Sequence, residues 1–317
     1  VTVAIVALPL AIGFGITSGM SAAAGISTAI IAGFIAALLG GSRFQVSGPT
    51  GAMTVVLIPV IQNYGIVAIP TLGVMAGAMV LLMAIFKLGN LIKKVPLAVV
   101  EGFTVGIALV ISLQQIPYAL GVAKGQGERT LEVAANTVKD AVGIGVKWQT
   151  ILVVAVTLLI KFNIVRIVES FKIKMYFPAS FSALLLTTLI VNAFGMNVSF
   201  IGDIPRNVSI YTSPFLASGD YLSLLLPAFS IAILVAIESL LSARVADDIS
   251  NTPIDKQFRP NQELLGQGAA TAMASIFGGM PATGAIARTN VNVRSGAVTR
   301  FSAMVHSIFL LFIVVFL

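Results

Sequence analysis

Charge is scarce in this chain of 317 residues, with Asp, Glu, Lys and Arg together making up 10%, against about a quarter in an ordinary soluble domain. Cysteine is absent, which excludes disulfides, thiolate nucleophiles and Cys-built metal sites. A single histidine leaves little from which to build a zinc or haem site. The apolar segments hold no paired carboxylates, metal-ligand cluster or nucleophile–base arrangement, so a membrane enzyme lacks support. The ~10-residue alternating segments of a β-barrel are missing as well. What is abundant is apolar: 57% of residues are hydrophobic and the mean hydropathy is +1.02. This material is laid out as long runs, and a bilayer-spanning helix needs ~20 such residues. The fold class is therefore an all-α polytopic membrane protein.

Allowing about 28 residues for each span and its loop predicts about eleven spans. They fall near 1–20, 23–41, 49–63, 67–87, 95–120, 148–166, 176–195, 221–244, 260–277, 281–294 and 298–317. The chain opens inside one apolar run and ends inside another, so a fragment of a longer protein is expected. If the first segment runs outward, the outside loops hold Lys124, Arg129, Lys139, Lys147 and Arg206. Arg288 lies within a segment, and the other basic residues, among them Lys93, Lys94, Lys172, Lys174 and Arg244, fall inside. That excess agrees with the positive-inside rule and suits a multi-pass protein of the cell (inner) membrane. It also accounts for the net charge of +7 without a nucleic-acid partner; membrane lipid is the expected surrounding.

Two segments, 49–63 and 281–294, are too short to cross ~30 Å at 1.5 Å per residue. Each opens on a related motif, Gly48-Pro49-Thr50-Gly51-Ala52 and Met280-Pro281-Ala282-Thr283-Gly284. Seven spans lie between them, which gives the two opposite orientations. Paired, interrupted segments in inverted positions point to a transport site. Pro is at home at or near the first helical turn. Each helix N-terminus offers free N–H groups and about half a positive charge, so two facing ends form an anion site without a basic side chain. Arg288, about one turn into its segment, would raise the local potential further.

Ionisable groups inside a membrane are costly and draw a functional reading. Glu238 sits mid-segment in Ala236-Ile237-Glu238-Ser239-Leu240-Leu241-Ser242. Ser242, four residues on, shares its helix face. A protonatable or cation-coordinating carboxylate beside the anion site is one reading of Glu238; a structural ion pair with Arg288 is the other. Glu101 reads as a helix-end residue, His306 as a satisfied packing residue and Trp148 as an interfacial anchor. Gly73/Gly77 and Gly102/Gly106 read as close helix-packing pairs.

At these motifs the chain resembles the sulfate permease (SulP) family of anion transporters, relatives of the animal sulfate/chloride/bicarbonate exchangers and of prestin. The resemblance is carried by Pro9, by Gly40-Gly41-Ser42-Arg43 leading to Gly48-Pro49-Thr50-Gly51, and by Glu238 to Ser242. It continues through Asn261-Gln262-Glu263-Leu264-Leu265-Gly266-Gln267-Gly268 and Gly278 to Thr289. It implies two inverted seven-span repeats, here truncated to about eleven spans with half-helices at spans 3 and 10. A core domain would take residues 1–90 (spans 1–4) and 221–317 (spans 8–11), and a gate domain 91–220 (spans 5–7). Spans 12–14 and a STAS domain would lie outside this chain, which alone is not expected to transport. The resemblance further implies anion binding by Thr50, Gly51, Thr54, Gly284, Ala285, Ala287 and Arg288. Ion coupling would fall to Glu238, Ser242 and Thr283, with a Na⁺ site at Glu238, Ser242 and Gly284 if sodium is the coupling ion. The family's frequent Thr-Gly-Pro is Thr50-Gly51-Ala52 here, with Pro49 in front, which leaves the first helical residue open. Ala287 stands where some relatives carry a hydroxyl, a change that bears on selectivity.

The expected function is secondary active transport of a small inorganic or carboxylate anion (sulfate, bicarbonate or dicarboxylate). It would be symported with H⁺ or Na⁺ by an elevator motion in a homodimer, with no cofactor. The alternatives are an uncoupled anion channel or prestin-like motor, against which Glu238 argues, and a nucleobase permease. The permease would need a carboxylate where Arg288 stands.

Overall fold

The computed structural model describes residues 1–92, 97–127, 129–170, 179–199 and 221–316. Lys93, Lys94, Lys172, Lys174 and Arg206 lie outside the described residues, as does the side chain of Glu101. In chain order come α1 (Thr2–Thr17), α2 (Ala22–Leu39), β1 (Ser47–Gly48), α3 (Gly51–Tyr64), α4 (Ile69–Ile85), the single turn α5 (Gly89–Ile92), α6 (Leu97–Gln114) and α7 (Ile116–Leu120). Then follow α8 (Thr130–Ile144), α9 (Trp148–Ser170), α10 (Ala179–Ala193), α11 (Tyr221–Ile249), α12 (Pro260–Ile276), β2 (Thr283–Gly284), α13 (Ile286–Arg294) and α14 (Phe301–Phe316). Four apolar stretches among the described residues are long enough to cross a bilayer: Ala22–Leu39, Ile66–Ile85, Trp148–Val168 and Tyr221–Ile249.

Two compact units emerge, Val1–Glu101 with Ile204–Leu317, and Gly102–Asp203. The larger is built on small side chains. Ala4, Ala7 and Ala11 of α1 meet Ile26, Ala29 and Ile30 of α2 and Leu310 and Val314 of α14. Ala32 and Ala36 meet Ala270, Ala274 and Ala282. In lipid there is no hydrophobic drive to join apolar helices, so close packing of small residues must do it. The pairing of α4 with α12 follows that rule. A methyl on Gly73 would strike the Ser275 side chain, and one on Gly77 would come within 2.8 Å of both the Gly268 carbonyl and the Ala272 Cβ. A methyl on Gly102 or Gly106, by contrast, would meet nothing within 4 Å among the described residues. The packing role expected of that second pair is not seen among the described residues.

In the smaller unit α10 lies along α9, joined by Thr157 Oγ1 and Thr187 Oγ1 at 3.1 Å. Residues 121–147 read as a polar outside loop but contain α8. The physical reason is amphipathy: Val133, Ala134, Thr137 and Ala141 are buried on one side, and polar residues interrupt any long apolar run. The Gly125 amide donates to Thr137 Oγ1 (2.9 Å), and Asn136 Nδ2 donates to the Gln126 carbonyl (2.7 Å). Trp148 opens α9 and is 64% exposed.

Candidate functional site

A short strand lies between α2 and α3 and another between α12 and α13, and the two meet as an antiparallel pair. Ser47 pairs with Gly284 and Gly48 with Thr283, and the Ala285 amide adds a bond to the Val46 carbonyl (3.0 Å). Because the strands are antiparallel, α3 and α13 leave in opposite senses, and their N-termini face one another across the pair. Thr50 caps α3 in an extended conformation, its Oγ1 accepting from the Met53 amide (3.4 Å). Ala285 occupies the same position for α13 without a side-chain cap.

This corrects the expectation that the prolines stand at or near the first helical turn. Pro49 precedes the cap, and Pro281 lies ahead of β2, five residues before Ile286. At α3 the cap position is taken by Thr50, whose hydroxyl accepts from the Met53 amide as no proline could. Residues 281–285 are not helical, with Thr283–Gly284 in β2, and only Ile286–Arg294 is helix. The first intrahelical bonds are Thr54 N to Thr50 O (3.2 Å) and Thr289 N to Ala285 O (2.9 Å). Amides of Gly51, Ala52, Ile286, Ala287 and Arg288 therefore have no acceptor in their own helices.

Glu238 of α11 reaches this crossing. Its Oε2 accepts from Thr283 Oγ1 (2.8 Å) and Thr50 Oγ1 (3.2 Å), so one carboxylate oxygen ties the cap of α3 to β2. Arg288 comes from the first turn of α13 and is 1% exposed. Its Nη2 donates to the Pro49 carbonyl (3.0 Å). Its Nη1 lies against Gly48, where any Cβ would collide with it, and has no hydrogen-bond partner. The guanidinium thus turns to a backbone carbonyl and the carboxylate to two hydroxyls, and no bond joins Arg288 to Glu238. The ion-pair reading therefore finds no support, and a buried guanidinium keeps one N–H edge free.

The remaining site residues divide. Gly51, Ala285 and Gly284 are buried at the crossing, whereas Ala287 is exposed. Thr54 turns its hydroxyl back to the Thr50 carbonyl (3.2 Å). Ser242 does not join the Glu238 oxygens; its Oγ donates to Thr289 Oγ1 (3.2 Å), which in turn accepts from the Val46 amide (3.1 Å). Sequence reasoning passed over Ser239, whose Oγ accepts from the Gly284 amide (3.0 Å), and Thr289. Both adjoin residues it had singled out, so neighbourhood was the available signal. His306 is buried as expected, yet both ring nitrogens lack a partner, so it is not satisfied. Among the described residues no cluster of three or more His, Cys, Asp or Glu could hold a metal ion.

In this helical membrane fold two helix N-termini thus face each other across a strand pair, flanked by a buried carboxylate and a buried guanidinium. All of residues 1–317 match the sulfate permease family, and the chain belongs to that family. It is 37% identical over 99% of its length to YvdB of Bacillus subtilis (strain 168), which bears the name of a candidate sulfate transporter. It is 32% identical over 99% of its length to the bicarbonate transporter BicA of Picosynechococcus. It spans 58% and 56% of those two relatives. The transmembrane domain of a cyanobacterial BicA superposes with a TM-score of 0.84 at 30% identity, over 99% of this chain and 80% of that one. Murine Slc26a9 shares the fold at a TM-score of 0.84 and 13% identity, over 99% of this chain and 55% of that one.

Proposed function

We propose that this chain is the larger part of the membrane domain of a secondary active transporter for a small oxyanion, sulfate, bicarbonate or a dicarboxylate. The observation that carries the reading is the pair of facing helix N-termini at the strand crossing, with the Arg288 Nη1 edge unpartnered beside Gly48. Free amides and a guanidinium edge suit any small oxyanion, since each donates to oxygen without a counter-charge on the anion's far side. The names of relatives, one for sulfate and one for bicarbonate, agree with that breadth.

The coupling ion meets Glu238. A carboxylate in a site for anions opposes them unless it is neutralised, which makes symport with H⁺ or Na⁺ the natural way to move both. The two threonine hydroxyls already donate to one carboxylate oxygen, leaving the other for a proton. A sodium ion would instead take Glu238 with the Thr50 and Thr283 oxygens, and Ser242, engaged with Thr289, would stand outside that set. Proton coupling is therefore the reading we favour. In the full-length protein we place this chain in a fourteen-span fold of two inverted repeats. Residues 1–90 and 221–317 would form the moving core and 91–220 a gate, in a homodimer.

Uptake by the full-length protein in liposomes tests the reading, with labelled sulfate, bicarbonate and a dicarboxylate offered under separate proton and sodium gradients. Accumulation of at least one anion above equilibrium under a proton gradient is expected. Equilibration alone, under every gradient, would favour an uncoupled anion path.

A further inference from the structure

The strand crossing is held from behind by a second buried carboxylate, which the proposed transport step does not use. Glu263, in the first turn of α12, is 1% exposed. Its Oε2 accepts from the amides of Gly41 and Ser42, each at 2.8 Å. Its Oε1 accepts from Gln267 Nε2 (2.9 Å). The same nitrogen donates to Ser47 Oγ (2.6 Å), and Ser47 is the β1 residue paired with Gly284. An unbroken chain of hydrogen bonds thus runs from the turn after α2, through one face of α12, to the crossing.

The approach of α12 to that turn is close. A Cβ on Gly41 would collide with the Arg259 carbonyl, and one on Gly40 would lie 2.9 Å from Glu263 Oε2. Every group facing the carboxylate of Glu263 in these bonds is a donor. With Gln267 turned as it is, an ionised carboxylate meets all three donors with its two oxygens, whereas an amide at this position would turn its own N–H₂ on one of them. Arg300, the cation that acts on it electrostatically, donates to the Leu38 carbonyl (3.3 Å).

We infer that Glu263 and Gln267 are positioning residues for the anion site. They set where β1 lies along α12, and so where the Thr50 cap and the free amides of α3 stand relative to α13. The role rests on the anion-site reading above. It carries a sign that charge alone would reverse. A fixed negative charge behind an anion site repels the anion, so neutralising Glu263 should tighten binding if electrostatics were its whole effect. A positioning residue, once lost, weakens binding.

Two readouts on the full-length protein test this, one of them independent of transport. Hydrogen exchange over residues 44–54 and 280–289 reports the crossing directly. Glu263→Gln should speed exchange there and raise KM for the transported anion about fivefold to tenfold, the scale of one hydrogen bond lost from a buried network, with a smaller change in Vmax. Adding Gln267→Glu should reverse both effects. In that swap the side-chain amide at position 263 accepts from the two backbone N–H groups and donates to the carboxylate at position 267, which accepts from Ser47 Oγ. Ser47→Ala, a milder change, should loosen the crossing and leave exchange at residues 40–43 as in the wild type. Unchanged exchange at the crossing in Glu263→Gln, a lowered KM, or a swap no better than the single variant would overturn the proposal. If the wild-type protein transports none of the anions, the function reading fails, and the exchange measurements still decide whether Glu263 positions the strands.

Discussion

Gly48 and Arg288 depend on each other. The guanidinium occupies the space a side chain at residue 48 would need, and its Nη2 holds the Pro49 carbonyl. Gly48→Ala should therefore displace Arg288 and weaken anion binding while leaving the helices intact, which isothermal titration and circular dichroism would show together. Arg288→Ala should weaken binding by about 1–3 kcal/mol, the usual worth of a charged donor in a dry site. Since no bond joins Arg288 to Glu238, the double variant of Arg288→Ala with Glu238→Gln should melt no higher than the less stable of the two single variants. Recovery of stability in the double variant would restore the ion-pair reading. Thr283 is the third residue of this group. Thr283→Val keeps its shape and removes the 2.8 Å donor to Glu238, so it should disturb ion coupling more than anion affinity, seen as a changed anion-to-ion stoichiometry.

Among the elements, the short helices were legible because Pro and Gly interrupt apolar runs at 48–51 and 280–284. The strands that join them were not, because a two-residue pair has no periodicity to read. Register was hidden for the same reason. The motif echo aligns Gly51 with Gly284, whereas Gly284 pairs with Ser47 and Gly51 is already helical. The i, i+4 rule correctly places Glu238 and Ser242 on one face of α11. It could not foresee that Thr289 would engage Ser242 first, which is a fact of tertiary packing. Helix α8 was missed because its amphipathic pattern sits in a polar stretch between two spans. The glycine pairs show the same limit: the spacing is identical, yet only Gly73 and Gly77 meet a neighbouring helix among the described residues. Gly77→Val should accordingly lower the melting temperature by separating α4 from α12. Gly106→Ala should leave it unchanged or raise it, because the helix gains about 0.5–1 kcal/mol of propensity.

At the scale of the whole molecule, Glu238, Arg288 and both short helices belong to one compact unit. An elevator carries such a unit past a fixed partner, so crosslinking a helix of residues 1–90 to one of residues 91–220 in the full-length protein should stop turnover and spare anion binding. The chain has no cysteine, so introduced pairs can be read without background. Central to the proposed transport is the link between the anion at the crossing and the proton at Glu238. Glu238→Gln copies the protonated carboxylate, keeping its shape and removing its charge. In liposomes with an imposed pH gradient and no sodium, the wild-type protein should accumulate its anion uphill. The Glu238→Gln variant should exchange anion across the membrane but only equilibrate it. Uphill accumulation by that variant under the same gradient would contradict a coupling role for Glu238.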